Sequence, residues 1–336
     1  MRTRLAAGCL LLCVFGVAAA DDDDARAWLE RMNHALATRN YDGTFFHLRN
    51  GKVETLRIVH RVADGKVAER LVSLDGSGRE IIRNDQELTC YLPDQKRVLV
   101  ESRPVSGSLL GTLPAFDGGL ADHYQVEKLT PGRLLGRPTQ VIAVNPRDAF
   151  RFGYRLWIDE GTGLPLKTQL CDEKGNVVEQ ILFANIVVPD SLPPSAVEPR
   201  VNTEGMQWVK QPAPSSVDST FASNWRAAKV PPGFRLTATS TQLLEGSESP
   251  VTHLVYSDGL ASVSVFIETR PAEPDQFNGL AKVGSAFTFS TTTRGHQVTA
   301  VGEVPSQTVQ LIAHSTQPDK DERPPPPPAT AFGPKP

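Results

Sequence analysis

The side chains best suited to catalysis and metal binding are scattered along this chain without a recognisable motif. No two histidines have the spacing of a zinc motif, no glycine-rich phosphate loop follows a predicted strand, and no G-x-S-x-G elbow occurs. His253, Asp258 and a neighbouring serine could form a triad, but they lie on one short hairpin with no supporting pattern. We therefore predict that the chain is not an enzyme and holds no metal or cofactor. The seven histidines are His34, His47, His60, His123, His253, His296 and His314.

The first twenty residues have the features of a secretory signal peptide. Arg2 and Arg4 form a short basic start, an uncharged apolar run extends from Leu5 to Val17, and three alanines follow as a small-residue cleavage pattern. The apolar run is shorter than a membrane-spanning helix requires. We expect cleavage after Ala20 and export of the mature protein.

Two of the four cysteines, Cys9 and Cys13, would leave with the signal peptide, so Cys90 and Cys171 remain. Export permits a disulfide between these two residues. Two buried free thiols are the alternative, because the sequence cannot place their Cα atoms within bridging distance. Both arrangements stay open at this stage.

Composition and charge limit the classes of protein to which this chain can belong. The 336 residues suffice for about two domains, and a chain that is 40% hydrophobic and 22% charged is not mainly disordered. Removing Arg2 and Arg4 leaves 33 basic residues against 38 acidic ones, a net charge of about −5. This excess of acidic groups argues against nucleic-acid binding, which depends on neutralising phosphates.

The stretch from Asn40 to Arg103 has the pattern of consecutive β-hairpins. Short alternating runs are separated by Asn50-Gly51, Asp64-Gly65, Asp75-Gly76 and Pro93-Asp94, and the Asn-Gly and Asp-Gly pairs favour tight hairpin turns. We predict an antiparallel meander that must bury one of its faces. The strand candidates are Thr44–Leu48, Glu54–Arg61, Val67–Leu74, Arg79–Asn84, Glu87–Leu92 and Arg97–Glu101.

An amphipathic helix is predicted before the meander, because Trp28, Leu29, Met32, Ala35 and Leu36 fall at helical spacing. We expect this apolar stripe to cover the sheet. After the meander, residues 103 to 125 are rich in glycine yet apolar, which indicates either a loop folded over a cavity or a plain buried connector. The arginine- and aromatic-rich stretch RDAFRFGYR at 147–155 is interpreted as a hairpin edge.

Five further strands are predicted between Gln125 and Asn185, and a proline-rich linker follows. A second, smaller sheet is predicted from the hairpin THLVYSDGLASVSVFIE onward; its last segment, Thr308–Ala313, fits a strand or a helix equally. Polyproline in the tail is typical of extended, disordered chain. The predicted division is 1–20 signal peptide, 25–188 N-terminal domain, 189–214 linker, 215–316 C-terminal partner-binding domain and 317–336 disordered tail.

Several long blocks resemble the RseB/MucB family of periplasmic regulators of the σE envelope-stress response. They are NYDGTFFHLRNGKVETLRIVHRVADGKVAERLVSLDGSGREIIRN, TCYLPDQKRVLVESR, HLVYSDGLASVSVFIE and RGHQVTAVGEVPSQTVQLIAHS, in the family's order. The resemblance covers most of Trp28–Ser315. It implies an α+β fold that is mostly antiparallel β: a large N-terminal half-open barrel, similar to the lipoprotein carriers LolA and LolB, that wraps helices, and a smaller C-terminal α+β domain.

The resemblance also implies a function. Such proteins act in the periplasm, where they bind the periplasmic segment of an anti-sigma factor (RseA or MucA) and shield it from the site-1 protease. Lipopolysaccharide or lipid A is the implied competing ligand. The resemblance leaves the oligomeric state open, with a homo-oligomer as one alternative. Nucleic acid is not an expected partner. A periplasmic lipid or lipoprotein carrier is the alternative function, although a carrier needs only the first domain.

Candidate binding residues follow from these expectations. A lipid chain entering the concave face of the first sheet would contact apolar side chains, whereas the anti-sigma segment is expected on the second domain's hairpin and the interdomain face. The lipid candidates are Phe45, Leu56, Ile58, Leu71, Ile82, Tyr91, Leu109 and Trp157. The partner candidates are Arg235, His253, Tyr256, Asp258 and Phe266.

Overall fold

The computed structural model describes residues 18–76, 78–102, 118–211, 224–242, 250–269 and 278–318. Three of the predicted segments therefore lie outside the described residues. They are most of the signal peptide (residues 1–17), the apolar loop at 103–117 with Leu109, and the tail beyond residue 318. Strands dominate the described part of the chain, and almost all of them pair antiparallel, which confirms the mainly antiparallel β prediction.

The N-terminal domain is one twelve-stranded sheet with a long helix, α1 (Ala18–Thr38), and a one-turn helix, α2 (Gly118–Ala121). The sheet runs in the order β12-β6-β5-β4-β3-β2-β1-β11-β10-β9-β8-β7, and only the β12–β6 pair is parallel. Its strands are β1 (Tyr41–Arg49), β2 (Lys52–Ala63), β3 (Lys66–Ser73), β4 (Glu80–Arg83), β5 (Glu87–Leu92), β6 (Arg97–Ser102), β7 (Tyr124–Leu134), β8 (Arg137–Pro146), β9 (Gly153–Asp159), β10 (Pro165–Cys171), β11 (Val177–Val187) and β12 (Gln207–Gln211).

The predicted hairpins form at their turn residues. Asn50 and Gly51 both have positive φ, and so do Asp64 and Gly65. Asparagine, aspartate and glycine tolerate this backbone conformation, which two-residue hairpin turns require. The local turn chemistry therefore explains why β1, β2 and β3 follow one another as direct neighbours in the sheet.

Helix α1 covers one part of one sheet face, which we call the inner face. Leu29, Met32 and Ala35 are fully buried there, packed in one cluster with inner-face residues such as Ile142 and Leu156. The helix packs against β7 and β8. The predicted apolar stripe on the helix is confirmed.

The proline-rich segment after β11 is tied to the opposite, outer face of the same sheet. Asn40 and Arg61 donate side-chain hydrogen bonds of 2.9 Å to the carbonyls of Asp190 and Leu192. The backbone N–H of Arg200 donates to Glu80, at 3.0 Å. Further along, the segment enters the sheet edge as β12. The segment that the sequence indicated as an extended linker is thus packed along much of its described length.

The C-terminal domain is built on a six-stranded antiparallel sheet in the order β14-β15-β16-β19-β18-β17, with a two-stranded ribbon of β13 and β20 beside it. Helix α3 (Ser306–Ser315) packs on β18 and β19, burying Val309, Ile312 and Ala313. Of the two alternatives for Thr308–Ala313, the helix forms. The strands are β13 (Trp225–Ala227), β14 (Arg235–Gln242), β15 (Val251–Ser257), β16 (Ser262–Thr269), β17 (Gly279–Val283), β18 (Ala286–Thr293), β19 (His296–Gly302) and β20 (Thr316–Pro318).

Cys90 and Cys171 are free thiols, so the disulfide that the sequence left open does not form. The register gives the reason. Cys90 pairs with Ile81 and thereby shares the inner face with Leu71, whereas Cys171 shares the outer face with Gln169. Five strands also separate β5 from β10 in the sheet order. Thiols on opposite faces of one sheet cannot approach bridging distance.

We therefore expect two reactive thiols in a chain that begins at Asp21 and lacks Cys9 and Cys13. Denaturing this protein without reductant and titrating it with a thiol reagent should label both Cys90 and Cys171. A Cys171→Ser variant should lose one of the two labels. Absence of label from the denatured, unreduced protein would reveal a bridge and contradict the strand register.

No helix among the described residues is both long and apolar enough to span a membrane.

Candidate ligand cavity and domain interface

A cavity of about 520 Å³ opens on the inner face over β1, β2, β3 and β11. Its floor is apolar and consists of Phe45, Leu56, Leu71 and Ile181. Such a volume is typical of small-molecule sites. Phe45 and Leu56 are buried in the same core cluster as the side chains of α1. Leu71 and Ile181 are only half-buried and therefore remain open to a ligand.

The sheet register places the floor residues side by side. Phe45 pairs directly with Leu56 on β2 and with Phe183 on β11, and the two phenyl rings meet at 5.4 Å. Leu71 pairs with Ile58, which lies next to Leu56 on the same face. Alternation along each strand then brings charged residues onto the same face nearer the strand ends.

The rim of the cavity carries both charges, with cations in excess. Arg49, Lys52 and Arg79 line it together with the carboxylates of Glu54 and Glu179. Arg79 pairs with Glu54 at 3.1 Å. An apolar floor beneath a rim with one more cation than anion suits an amphiphile whose head group is an anion.

His47 and Glu179 lie on the rim beside Arg49, and their side chains meet at 2.8 Å. Burial would raise the pKa of Glu179, but the hydrogen bond from His47 and the charges of His47 and Arg49 outweigh it. The pKa of this carboxyl is therefore held below its usual value. Glu179 is thus anionic at neutral pH and contacts both the His47 ring and the Arg49 guanidinium.

The predicted lipid contacts divide between the two faces of the sheet. Phe45, Leu56 and Leu71 line the cavity, whereas Ile58 is fully buried among the core side chains beside it. Ile82 and Tyr91 lie on the outer face instead. Ile82 pairs with Arg70 on β3, and Tyr91 pairs with Glu80 on β4, and both of these partners are outer-face residues.

Tyr91 belongs to a separate cluster with Val98 and Val100 that Met206 of the linker covers. Trp157 also lies outside the cavity: its neighbours Leu156 and Ile158 face the core, and its own ring stacks against Lys167 at 4.1 Å. The grouping of Ile82, Tyr91 and Trp157 with the concave-face residues is therefore wrong in this structure.

A buried ion pair joins the two domains. Arg151, whose side chain is completely buried, contacts Asp258 at 2.9 Å, and the Tyr124 hydroxyl donates to the same carboxylate at 3.0 Å. The guanidinium also lies over the rings of Tyr124 and Phe234. Burial, together with the charge of Asp258, raises the pKa of Tyr124, so its hydroxyl stays a donor.

A second contact between the domains involves the tip of the β1–β2 hairpin. Arg49 donates through Nε to Ser285 Oγ at 2.9 Å and through Nη2 to Glu303. Gly284 approaches Asn50 so closely that a Cβ there would lie 2.6 Å from the amide nitrogen. Arg49 thus belongs both to the cavity rim and to the domain interface.

The predicted partner residues lie on different surfaces of the second domain. Tyr256 is buried and accepts a hydrogen bond from the Ala227 backbone, and Asp258 is committed to Arg151. His253 stacks on Phe266 with the rings 4.5 Å apart, on the sheet face opposite α3, and burial lowers the pKa of this histidine. Arg235 lies on the edge strand β14.

Two residues that join the domains, Arg49 and Arg151, escaped the sequence-based reasoning. Arg151 falls within the stretch interpreted as a hairpin edge, and Arg49 was not singled out. A charge between aromatic residues, as in RDAFRF, was a usable signal for Arg151, because a buried guanidinium needs aromatic and acidic neighbours. For Arg49 the sequence carries no comparable signal. Within the described ranges, no group of three or more metal-ligating side chains comes together.

Family models match both parts of the chain. The MucB/RseB N-terminal domain model matches residues 24–201, and the MucB/RseB C-terminal domain model matches residues 219–317. Among curated proteins, the sigma factor AlgU regulatory protein MucB of Pseudomonas aeruginosa is 35% identical over 319 residues, covering 92% of this chain and 96% of the relative. The sigma-E factor regulatory protein RseB of Escherichia coli K12 is 26% identical over 304 residues, covering 90% and 93%.

Solved structures agree with these matches. The crystal structure of MucB in complex with MucA(peri) superimposes with a TM-score of 0.70 at 32% identity, covering 88% of this chain and 99% of that one. The complex structure of Pseudomonas aeruginosa MucA/MucB gives the same TM-score at 33% identity, with the same coverage.

The buried ion pair predicts a specific loss of stability. Asp258→Asn leaves the Arg151 guanidinium buried with Asp148 as its remaining acidic partner, which should lower the free energy of unfolding by about 3 kcal/mol. Tyr124→Phe removes one hydrogen bond and should cost about 1.5 kcal/mol. Urea unfolding at neutral pH measures both values. An Asp258→Asn value within about 0.5 kcal/mol of the wild type, the range of neutral surface changes, would contradict this role.

Proposed function

This chain belongs to the MucB/RseB family, and from that premise we propose that it is a negative regulator of a σE-type envelope-stress response. It acts by binding the periplasmic segment of an anti-sigma factor. The observation that carries the proposal is the match along both domains to MucB, whose crystal structures contain MucA. The curated relatives are named as regulatory proteins and not as enzymes, in agreement with the prediction that this chain is not an enzyme.

In this role the protein acts in the periplasm and shields the anti-sigma segment from the site-1 protease, so that the sigma factor stays sequestered. Release then requires a ligand that favours the free protein over the complex. A ligand can shift this equilibrium only by its differential affinity for the two states.

We propose lipopolysaccharide, through its lipid A part, as that ligand, with the 520 Å³ cavity as its site. Acyl chains would lie against the floor residues Phe45, Leu56 and Leu71, and phosphates near the cationic rim. The unclosed sheet, whose end strands β12 and β7 do not pair with each other, supports a half-open barrel of the LolA type.

For the anti-sigma segment, the stacked pair of His253 and Phe266 is the most suitable of the predicted contacts. Tyr256 and Asp258 already have internal partners, whereas His253 and Phe266 are only half-buried. Aromatic side chains at a partly exposed face are common anchors in protein interfaces. Arg235, on the edge strand, would suit an extended peptide that adds to the sheet by main-chain hydrogen bonds.

A lipid or lipoprotein carrier is the second candidate function, because the open cavity alone would serve it. The C-terminal domain argues for the regulator, since it is matched by a family model of its own and a carrier has no need of it. Binding of the anti-sigma segment separates the two functions.

The first test is binding of the chain from Asp21 onward to the periplasmic segment of the cognate anti-sigma factor. We expect a micromolar or tighter complex by calorimetry, and about tenfold weaker binding for Phe266→Ala if this ring is an anchor. Leu280→Ala, at an exposed position on the edge strand β17, is the matched control and should leave the affinity unchanged. No complex at micromolar concentrations would refute the regulator.

The second test uses adjacent residues on opposite faces of β3. Leu71→Glu places a charge on the cavity floor, whereas Val72→Glu places it on the outer face; both positions are half-buried. Lipid A should displace the anti-sigma segment from the Val72→Glu variant as from the wild type. The Leu71→Glu variant should require at least about tenfold more lipid, because burying a carboxylate against acyl chains is costly.

Thermal unfolding checks that both β3 variants are folded. Equal lipid sensitivity of the two folded variants would place the lipid outside this cavity.

A further inference from the structure

Arg49 lies where the ligand cavity meets the second domain. Its side chain lines the 520 Å³ cavity and also a second cavity of about 320 Å³ between the domains, together with Tyr154, Ser264 and Glu303. Among the residues that the structure describes, it is the only one that lines both of these cavities. Whatever binds Arg49 from the first cavity therefore acts directly on a contact of the second domain.

The partners of Arg49 come from both domains. Glu179, at 3.6 Å from Nε, belongs to the N-terminal sheet, whereas Ser285 and Glu303 belong to the C-terminal domain. The Ser285 hydroxyl can donate in turn to Glu303 or to Glu179. One guanidinium therefore holds two carboxylates that would otherwise repel each other across the interface.

The Arg49–Glu303 pair is a weak one in energetic terms. The two side chains are 42% and 41% exposed, and pairs with such exposure contribute little net stability because water competes for both charges. A phosphate presents three oxygens and can accept two parallel hydrogen bonds from a guanidinium. A phosphate held at the rim by acyl chains in the cavity would thus compete effectively with Glu303.

We infer that Arg49 couples the ligand cavity to the second domain. An anionic head group of the phosphate class replaces Glu303 as the partner of the Arg49 guanidinium and so breaks the Arg49–Glu303 contact between the domains. The inference rests on the proposed binding of an amphiphile in the cavity.

Opening is local, because the domains remain joined elsewhere. The Arg151–Asp258 pair is fully buried and out of reach of a ligand in the cavity. The contact between Gly284 and Asn50, by contrast, sits beside Arg49 at the hairpin tip. Loss of the Arg49 bonds would therefore separate the β1–β2 tip from the β17–β18 turn while the buried pair acts as the pivot.

Two amphiphiles with the same chain, dodecyl phosphate and dodecyl maltoside, separate the head group from the acyl chain. Calorimetry on the chain from Asp21 onward measures the affinity of each below its micellar concentration. Glu303→Gln should tighten dodecyl phosphate binding about three- to fivefold, the range of an exposed ion pair, because the competing carboxylate is gone. Dodecyl maltoside binding should not change.

Glu173→Gln is the charge-matched control, because Glu173 is an exposed carboxylate in the β10–β11 turn. It should leave both affinities unchanged. Equal tightening of dodecyl phosphate by Glu173→Gln and Glu303→Gln would mean that general charge, and not competition for Arg49, is responsible, and would overturn the inference.

Hydrogen exchange gives a readout at the contact itself. Dodecyl phosphate should accelerate amide exchange across residues 281–286 in the wild type, whereas dodecyl maltoside should not. In Arg49→Gln this turn should already exchange fast, with no further effect of the phosphate. Unchanged exchange in the wild type at saturating dodecyl phosphate would overturn the inference.

The outcomes also separate this inference from the proposed lipid function. If neither amphiphile binds, the cavity is not a lipid site and the inference loses its premise. If both bind and Glu303→Gln leaves the affinity for dodecyl phosphate unchanged, the lipid site stands and the coupling through Arg49 is refuted.

Discussion

The structure depends on the need to cover the inner face of one very wide sheet. Twelve strands at a spacing of about 4.8 Å extend over about 53 Å, measured along the sheet. Helix α1 has 21 residues, so it is about 31 Å long and about 10 Å wide. A single helix of that size cannot cover the whole face. Because α1 packs mainly on β7 and β8, the part of the inner face around the half-buried Leu71 and Ile181 is left for something else.

The side chains on the part of the face that α1 leaves open match this situation. Leu71 and Ile181 are apolar and half-buried, and charged side chains surround them on the cavity rim, whereas a closed core excludes unpaired charges. The same strands end in the hairpin tip that reaches the second domain. The open face and the interface are therefore parts of one local structure, which is built on β1 and β2.

Local sequence signals predicted the parts of the fold that local chemistry determines. The Asn50-Gly51 and Asp64-Gly65 turns were identified because positive φ favours those residues, and the apolar stripe of α1 was identified from its helical period. The faces were harder to predict. Alternation shows which residues of one strand share a face, but combining strands requires their register, and Ile82 and Tyr91 were therefore assigned to the wrong side.

Long-range partners were out of reach for the same physical reason. Arg151 is buried only because Asp258 and Phe234, both more than eighty positions away in sequence, fold around it. The role of Arg49 likewise depends on Glu303, a residue of the other domain.

The Arg151–Asp258 and Arg49–Glu303 contacts between the domains differ in how easily they exchange partners. A buried pair such as Arg151–Asp258 fixes geometry, since breaking it leaves an uncompensated charge, whereas the half-exposed Arg49–Glu303 pair can exchange partners at low cost. The energy of that exchange also limits what it can achieve. A contribution of up to about 1 kcal/mol changes an equilibrium about fivefold, far less than full conversion between two states requires. Complete release of a bound partner would therefore need the acyl chains to add their own preference for the open state, so that the head group selects the ligand and the apolar part supplies most of the driving force.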